Sequence, residues 1–306
     1  MAVLDQIPPF ILGLIVPGQL LYFAVRAYIS LLVQSILRSG SIPRDLRAKA
    51  FGKFWEQISL VPDPSAPLVG SATLVPPLLA QANGIVLDVG PGNGVLISYF
   101  NAASSKIKQI YGAEPATELH KTLRHNADAT EIGHKYTVLR ADAWFMSIQS
   151  ELVGTGAIKH PNHAYGYFDT IVCVRVLCSV PRLRETIEDL HRLLKPGGKL
   201  LVCEHTANPW RTRKGSVIAR IVQTMYMFIG WSYFVGDCEL TRHIEQELRR
   251  DANNRWESVN LERYFGTAVL TYVSGVLVKK RDGTVMPAHE VYRQPQRPRT
   301  GRAYSH

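Results

Sequence analysis

Leu87-Asp88-Val89-Gly90-Pro91-Gly92-Asn93-Gly94 closes a short apolar run, IVLDV (85–89), with three glycines at alternate positions. An apolar run of that length reads as a buried strand, and glycines directly after it let the backbone turn sharply and approach a ligand. Further strand candidates follow at QIYGAEP (109–115), KYTVLRAD (135–142), DTIVCVRV (169–176) and KLLVCEH (199–205). Helices are expected after Gly94, around 117–127, over 182–194 and over the aromatic-rich 215–235. The stretch 145–167 reads as a long loop. SVNLERYF (258–265) and TYVSGVLVK (271–279) then follow each other with no obvious helix between them. Repeated strand–helix units imply a parallel sheet covered on both faces. The expectation is a Rossmann-like α/β fold whose mostly parallel, seven-stranded sheet ends in an antiparallel hairpin.

The carboxyl ends of consecutive strands in such a sheet line one crevice. Asp88 ends the first, Glu114 the second and Asp142 the third, followed by Ala143. A dinucleotide loop would need glycine or alanine at position 95, which is Val95. Asp88 beside the loop would repel a pyrophosphate and attract an ammonium. Glu114 could accept both ribose hydroxyls, and Asp142 an adenine amino group. With Gly90, Gly92 and Gly94 as the cradle, these residues favour S-adenosyl-L-methionine over a nicotinamide cofactor.

From here the chain resembles the class I methyltransferase family over roughly residues 75–280. LDVGPGNG is similar to the family's first motif, Glu114 to its ribose acid and Asp142 to its adenine acid. LLKPGGKLLVCEH (193–205) is similar to the stretch that turns into the fifth strand. Within the family the likeness runs to the membrane-bound branch that includes the microsomal alkyl thiol methyltransferases. It is carried by VLCSV (176–180), Glu204-His205, Cys238-x-Leu240-Thr241-Arg242, Tyr272 and Gly275. The stretch 145–167, Arg175 and the basic tail depart from that branch. The resemblance implies transfer of a methyl group to a thiol, hydroxyl or carboxyl of a lipophilic small molecule. A non-methylating protein that keeps the cofactor on the same fold, as a pericyclic catalyst or a membrane scaffold, is the alternative.

The sulfonium donor is itself electrophilic, so no metal is demanded, and His160 with His163 lacks nearby acids or cysteines to complete a site. His205, at the end of the fifth strand, is the candidate base. Cys178, Asp237 and Tyr272 are candidate substrate-pocket residues.

Outside the catalytic stretch, residues 10–25 and 28–37 are apolar, broken at Pro17-Gly18-Gln19 and at Arg26. That tract is marginal for spanning a bilayer and suits a monotopic hairpin or a tilted helix. Arg38, Arg44, Arg47, Lys49 and Lys53 follow it, which suits anionic lipid and places the remainder on the cytosolic side. The net charge of +10 is otherwise concentrated in the tail, and no nucleic-acid signature accompanies it. Cys173, Cys178, Cys203 and Cys238 show no framework spacing, as in a reducing compartment. The expected organisation is an anchor over 1–40, a basic and proline-rich linker or lid over 41–80, a catalytic domain over 81–280 and a disordered tail over 281–306. An endoplasmic reticulum or lipid-droplet surface is the expected location.

Overall fold

The computed structural model describes residues 9–59, 67–250 and 252–281. The sheet comprises β1 (Gly84–Val89), β2 (Ile107–Ala113), β3 (Tyr136–Leu139), β4 (Phe168–Val174), β5 (Leu194–His205), β6 (Trp256–Tyr264) and β7 (Tyr272–Lys279). Their order is β3-β2-β1-β4-β5-β7-β6. β1 to β5 run parallel, and β7 inserts antiparallel between β5 and β6. The expected fold is therefore the observed one. Leu87 and Val89 pack into one apolar layer while Val86 packs into the other, so β1 is buried on both faces. Strand order reverses between β1 and β4, and an open α/β sheet leaves its ligand crevice at that switch point.

Ten helices surround the sheet among the described residues: α1 (Pro9–Ser39), α2 (Leu46–Ile58), α3 (Val75–Leu79), α4 (His120–Asp128), α5 (Phe145–Gly154), α6 (Leu183–Leu193), α7 (Val217–Phe228), α8 (Trp231–Phe234), α9 (Ile244–Arg249) and α10 (Ala252–Arg255). Several expectations change. The stretch 145–167 is not a plain loop, because it contains α5 and a short 3-10 turn at Pro161–Ala164. Phe145, Ile148 and Leu152 recur at helical spacing and are all buried, and the Asp189 carboxylate accepts the Phe145 N–H at 3.1 Å. The segment after Gly94 forms a 3-10 helix, Ile97–Ala103. β3 stops at Leu139, so Asp142 lies three residues beyond it. The tail beyond residue 281 lies outside the described residues.

The apolar N-terminal tract is a single helix that contains Pro17, not a hairpin. It is long and apolar enough to cross a membrane over Ile11–Ser39, yet one side of it docks on the sheet domain. A Cβ at Gly13 would meet the Ala268 Cβ at 2.8 Å, and one at Gly18 the Tyr226 hydroxyl at 2.8 Å. The Gly13 carbonyl accepts the Val269 N–H at 3.1 Å, and the Tyr226 hydroxyl donates to the Leu14 carbonyl at 3.2 Å. Leu21, Ala24 and Ala27 join the main core. The opposite side exposes Ile15, Tyr22, Ile29, Val33 and Ile36.

Candidate active site

Gly90, Gly92 and Gly94 take φ values of +61°, +62° and +83° after β1, the left-handed region open to glycine. Glu114 leaves β2 beside them. Its Oε2 accepts the Gly92 N–H at 2.8 Å and its Oε1 the Ala116 N–H at 2.8 Å. The acid thereby holds the loop, and each oxygen keeps acceptor capacity for one more hydroxyl. Asn93 donates its amide to the Ser59 carbonyl at 2.8 Å, and its Oδ1 is buried without a partner. The Trp55 ring of α2 covers the turn, since a Cβ at Gly92 would sit 2.7 Å from Trp55 Nε1. A narrow cleft between Trp55, Leu79, Asp88, Asn93, Val174 and Arg175 opens at this point. A larger hollow lined by Lys106, Asp169 and Lys195 lies at the opposite, amino end of the sheet, away from the crevice.

Asp88 accepts a hydrogen bond from the Tyr136 hydroxyl at 2.9 Å. Burial pushes its carboxyl up to about 7, against that hydrogen bond and assisted by the nearby Glu114 charge. Burial also raises Glu114, while its two backbone bonds oppose the shift. Asp142 is exposed and accepts the Trp144 N–H at 3.2 Å, and Ala143 is half-buried beside it. Two acids near the glycine turn, one already holding the loop, fit an ammonium and a ribose diol and disfavour a phosphate. The donor set therefore fits S-adenosyl-L-methionine.

A second constellation stands at the same end of the sheet. His205 ends β5 and pairs in register with Tyr272 at the start of β7. Its Nε2 lies 2.6 Å from the Tyr272 hydroxyl, and its Nδ1 lies 3.5 Å from Cys238 Sγ. Cys178, in the turn after β4, brings its sulfur to the same point: the three ligand atoms all lie within 4.8 Å of one another. Buried Glu204 accepts the Val176 N–H at 2.9 Å and pins this turn. The Glu239 N–H donates to the Cys178 carbonyl at 2.9 Å. Arg242 donates to the carbonyls of Leu177 and Val180 at 3.0 and 2.6 Å. The resemblance motifs VLCSV, Glu204-His205 and Cys238-x-Leu240-Thr241-Arg242 thus interlock across some 60 residues of chain. Burial would lower the His205 pKa, but the Tyr272 oxygen and the Cys178 sulfur outweigh it and raise it to about 10. Asp237 points elsewhere, onto Arg47 of α2 at 2.5 Å, and is not part of the cluster. Cys238 and Tyr136 were not foreseen as site residues. Nothing local marks Tyr136, whereas Cys238 stands in a motif already noted.

A methyltransferase-domain family model matches residues 70–263. The chain belongs to the methyltransferase domain family. Its sheet has the class I methyltransferase arrangement, and the residues at the glycine turn fit S-adenosyl-L-methionine. Thiol S-methyltransferase TMT1B of Homo sapiens is 33 % identical over 100 residues, 33 % of this chain and 37 % of that one. The Mus musculus protein of the same name is 34 % identical over 82 residues, 27 % and 31 % of the two chains. The chain thus spans only about a third of the length of these curated relatives. The solved DszA carbon methyltransferase shares the fold, with a TM-score of 0.52 at 15 % identity over 89 % of this chain and 68 % of its own.

One outcome follows for this site. Asp88 faces Tyr136, Glu114 and Cys173. If its carboxylate receives the cofactor's ammonium, affinity should rise as pH climbs through about 7, by up to ~10-fold per unit below that point. Binding at about pH 6 should release a proton, seen by calorimetry in buffers of different ionisation enthalpy. A slope that persists unchanged in Asp88→Asn would detach the ammonium from Asp88.

Proposed function

We propose that this protein transfers a methyl group from S-adenosyl-L-methionine to the thiol of a lipophilic small molecule at a membrane surface, with the catalytic domain facing the cytosol. The partial identity with the thiol S-methyltransferases TMT1B is the observation that carries the acceptor class. When bound, the cofactor supplies an electrophilic methyl group on a sulfonium centre. Glu114 holds the ribose hydroxyls, Asp88 the ammonium, and Asp142 with Ala143 borders the adenine. Gly90, Gly92 and Gly94 let the backbone come close. Trp55 and Leu79 shield the turn from water. The acceptor sulfur approaches from the side of Cys178, His205 and Tyr272, which stand at the same carboxyl end of the sheet. Alignment of that sulfur with the methyl carbon is the main catalytic demand. The test is formation of S-adenosylhomocysteine with matched alkyl thiols, phenols and carboxylic acids. Turnover confined to phenols or acids overturns the thiol assignment, and none with any acceptor favours the non-methylating alternative.

Membrane attachment rests on α1 and its neighbour α7. The exposed stripe of α1 is joined by Val217, Ile218, Ile221, Met225 and Phe228, exposed at helical spacing on α7. A helix docked on one side and apolar on the other lies in a single leaflet rather than crossing both. That arrangement suits the cytosolic leaflet of the endoplasmic reticulum or a lipid-droplet surface. Deleting residues 1–40 would remove Leu21, Ala24 and Ala27 from the core, so a gentler change is the better probe. Ile29→Glu, Ile36→Glu and Phe228→Glu each forfeit ~1.5–3 kcal/mol of apolar burial in lipid. Together they should move the folded protein from the pelleted membrane to the supernatant. Unchanged pelleting of the folded triple variant would place the attachment on another surface.

A further inference from the structure

We infer that Cys178, His205 and Cys238 form a zinc site that binds the acceptor thiol as a thiolate. The inference rests on the thiol reading above and deepens it. A tetrahedral zinc ion takes thiolate sulfur at ~2.3 Å and imidazole nitrogen at ~2.0–2.1 Å. Those lengths place a sulfur and a nitrogen ligand about 3.5 Å apart, and two sulfurs about 3.8 Å apart. Cys238 Sγ and His205 Nδ1 are 3.5 Å apart, and all three atoms fall within 4.8 Å of one another. The two sides that meet at Cys178 are at most 4.8 Å long, so a contraction on the order of 1 Å at most along them completes the geometry.

The surroundings are those of a metal ligand set. A coordinating histidine ordinarily donates its second ring nitrogen to an outer partner, which fixes its tautomer and orientation. Here Nδ1 faces the sulfurs, and Nε2 lies 2.6 Å from the Tyr272 hydroxyl oxygen. Both cysteines are buried, at 2 % and 4 % exposure, and neither is in a disulfide. Their turns are tied to each other and to the sheet through Glu204, Glu239 and Arg242. The ligands come from three separate segments, so the site exists only in the folded chain. Two thiolates and one imidazole are soft donors that select zinc over magnesium or calcium.

Three protein ligands leave the fourth position of a tetrahedral ion open, which distinguishes catalytic from closed structural sites. That position suits a thiol, whose reference pKa of ~8.5 leaves little thiolate at neutral pH. On binding, the acceptor R–SH loses its proton to solvent and becomes a zinc-bound thiolate. Its sulfur lone pair attacks the methyl carbon, and a new carbon–sulfur bond forms. The bond from that carbon to the sulfonium breaks, its electron pair returning to the leaving S-adenosylhomocysteine. The product thioether is neutral and a poor zinc ligand, so it departs.

The test uses the full chain, purified in detergent with reductant and without chelator. Elemental analysis should find one zinc per chain, and cobalt substitution should give the intense ligand-field absorption of a tetrahedral thiolate site. Cys178→Ser with Cys238→Ser should abolish both, with cofactor affinity retained as the control for folding. His205→Cys, which keeps a soft ligand, should retain the ion and more thiol turnover than His205→Asn. A wild-type chain that methylates thiols without zinc overturns the metal site while the thiol reading stands. Zinc retained in the double variant overturns it equally. Zinc bound at this site in an enzyme that methylates only phenols or acids overturns the thiol reading, and the ion's activating role with it.

Discussion

Replacing His205 with asparagine is expected to lower turnover by ~10²–10⁴-fold while cofactor affinity stays unchanged. Both ring nitrogens are engaged, one with Tyr272 and one toward Cys238, so the imidazole links the sulfurs to the edge of β7. Asparagine is too short to serve both partners. The cofactor contacts are assigned to β1, β2 and the loop after β3, which the substitution does not touch. Tyr272→Phe removes only the oxygen behind the ring and should cost less, ~10–100-fold, as outer partners of functional histidines do. The measurements are initial rates at saturating cofactor with one fixed thiol, and cofactor affinity by calorimetry. A loss of only a few-fold in His205→Asn would leave the ring a packing role.

Glu114→Ala is expected to weaken cofactor binding ~10–10²-fold, from loss of charge-assisted hydrogen bonds worth about 1.5–3 kcal/mol. The carboxylate has two tasks. It is assigned the ribose hydroxyls, and it already holds the N–H groups of Gly92 and Ala116. Glu114→Gln should fall between wild type and alanine, because an amide keeps one acceptor oxygen but cannot accept at both ends. Wild-type affinity in the alanine variant would remove Glu114 from the site.

The glycine turn and the acids beside it were legible because chemistry and geometry coincide locally. Gly90, Gly92 and Gly94 follow one apolar run, and all three adopt positive φ. The mostly parallel sheet followed from the repeated strand–helix units. Asp142 does not close β3 as its place after the apolar run suggests, because this edge strand, paired with β2, ends at Leu139 and leaves Asp142 in the loop that follows. α5 was passed over although Phe145, Ile148 and Leu152 carry its period, since it spans only 10 residues and ends at Gly154. α2 was hidden by its basic residues, which drew the reading toward lipid, yet Leu46, Ala50 and Phe54 form its buried side. The cluster of Cys178, His205 and Cys238 could not be read from spacing. Its members come from the end of β5 and two separate loop segments, which the β5–β7 pairing and the Arg242 clamp bring together.

The way α1 docks has a thermodynamic corollary. Leu21, Ala24 and Ala27 lie on the helix that also exposes the apolar stripe, so in the proposed attachment bilayer and core would hold the same element from opposite sides. Lipid that covers the stripe only in the folded chain acts as a ligand of the native state and raises its stability by mass action. Displacement from the bilayer would then expose the stripe and loosen the helix together. Melting temperature should increase with lipid-to-protein ratio, and chains that lose their bilayer should be the first to meet proteases.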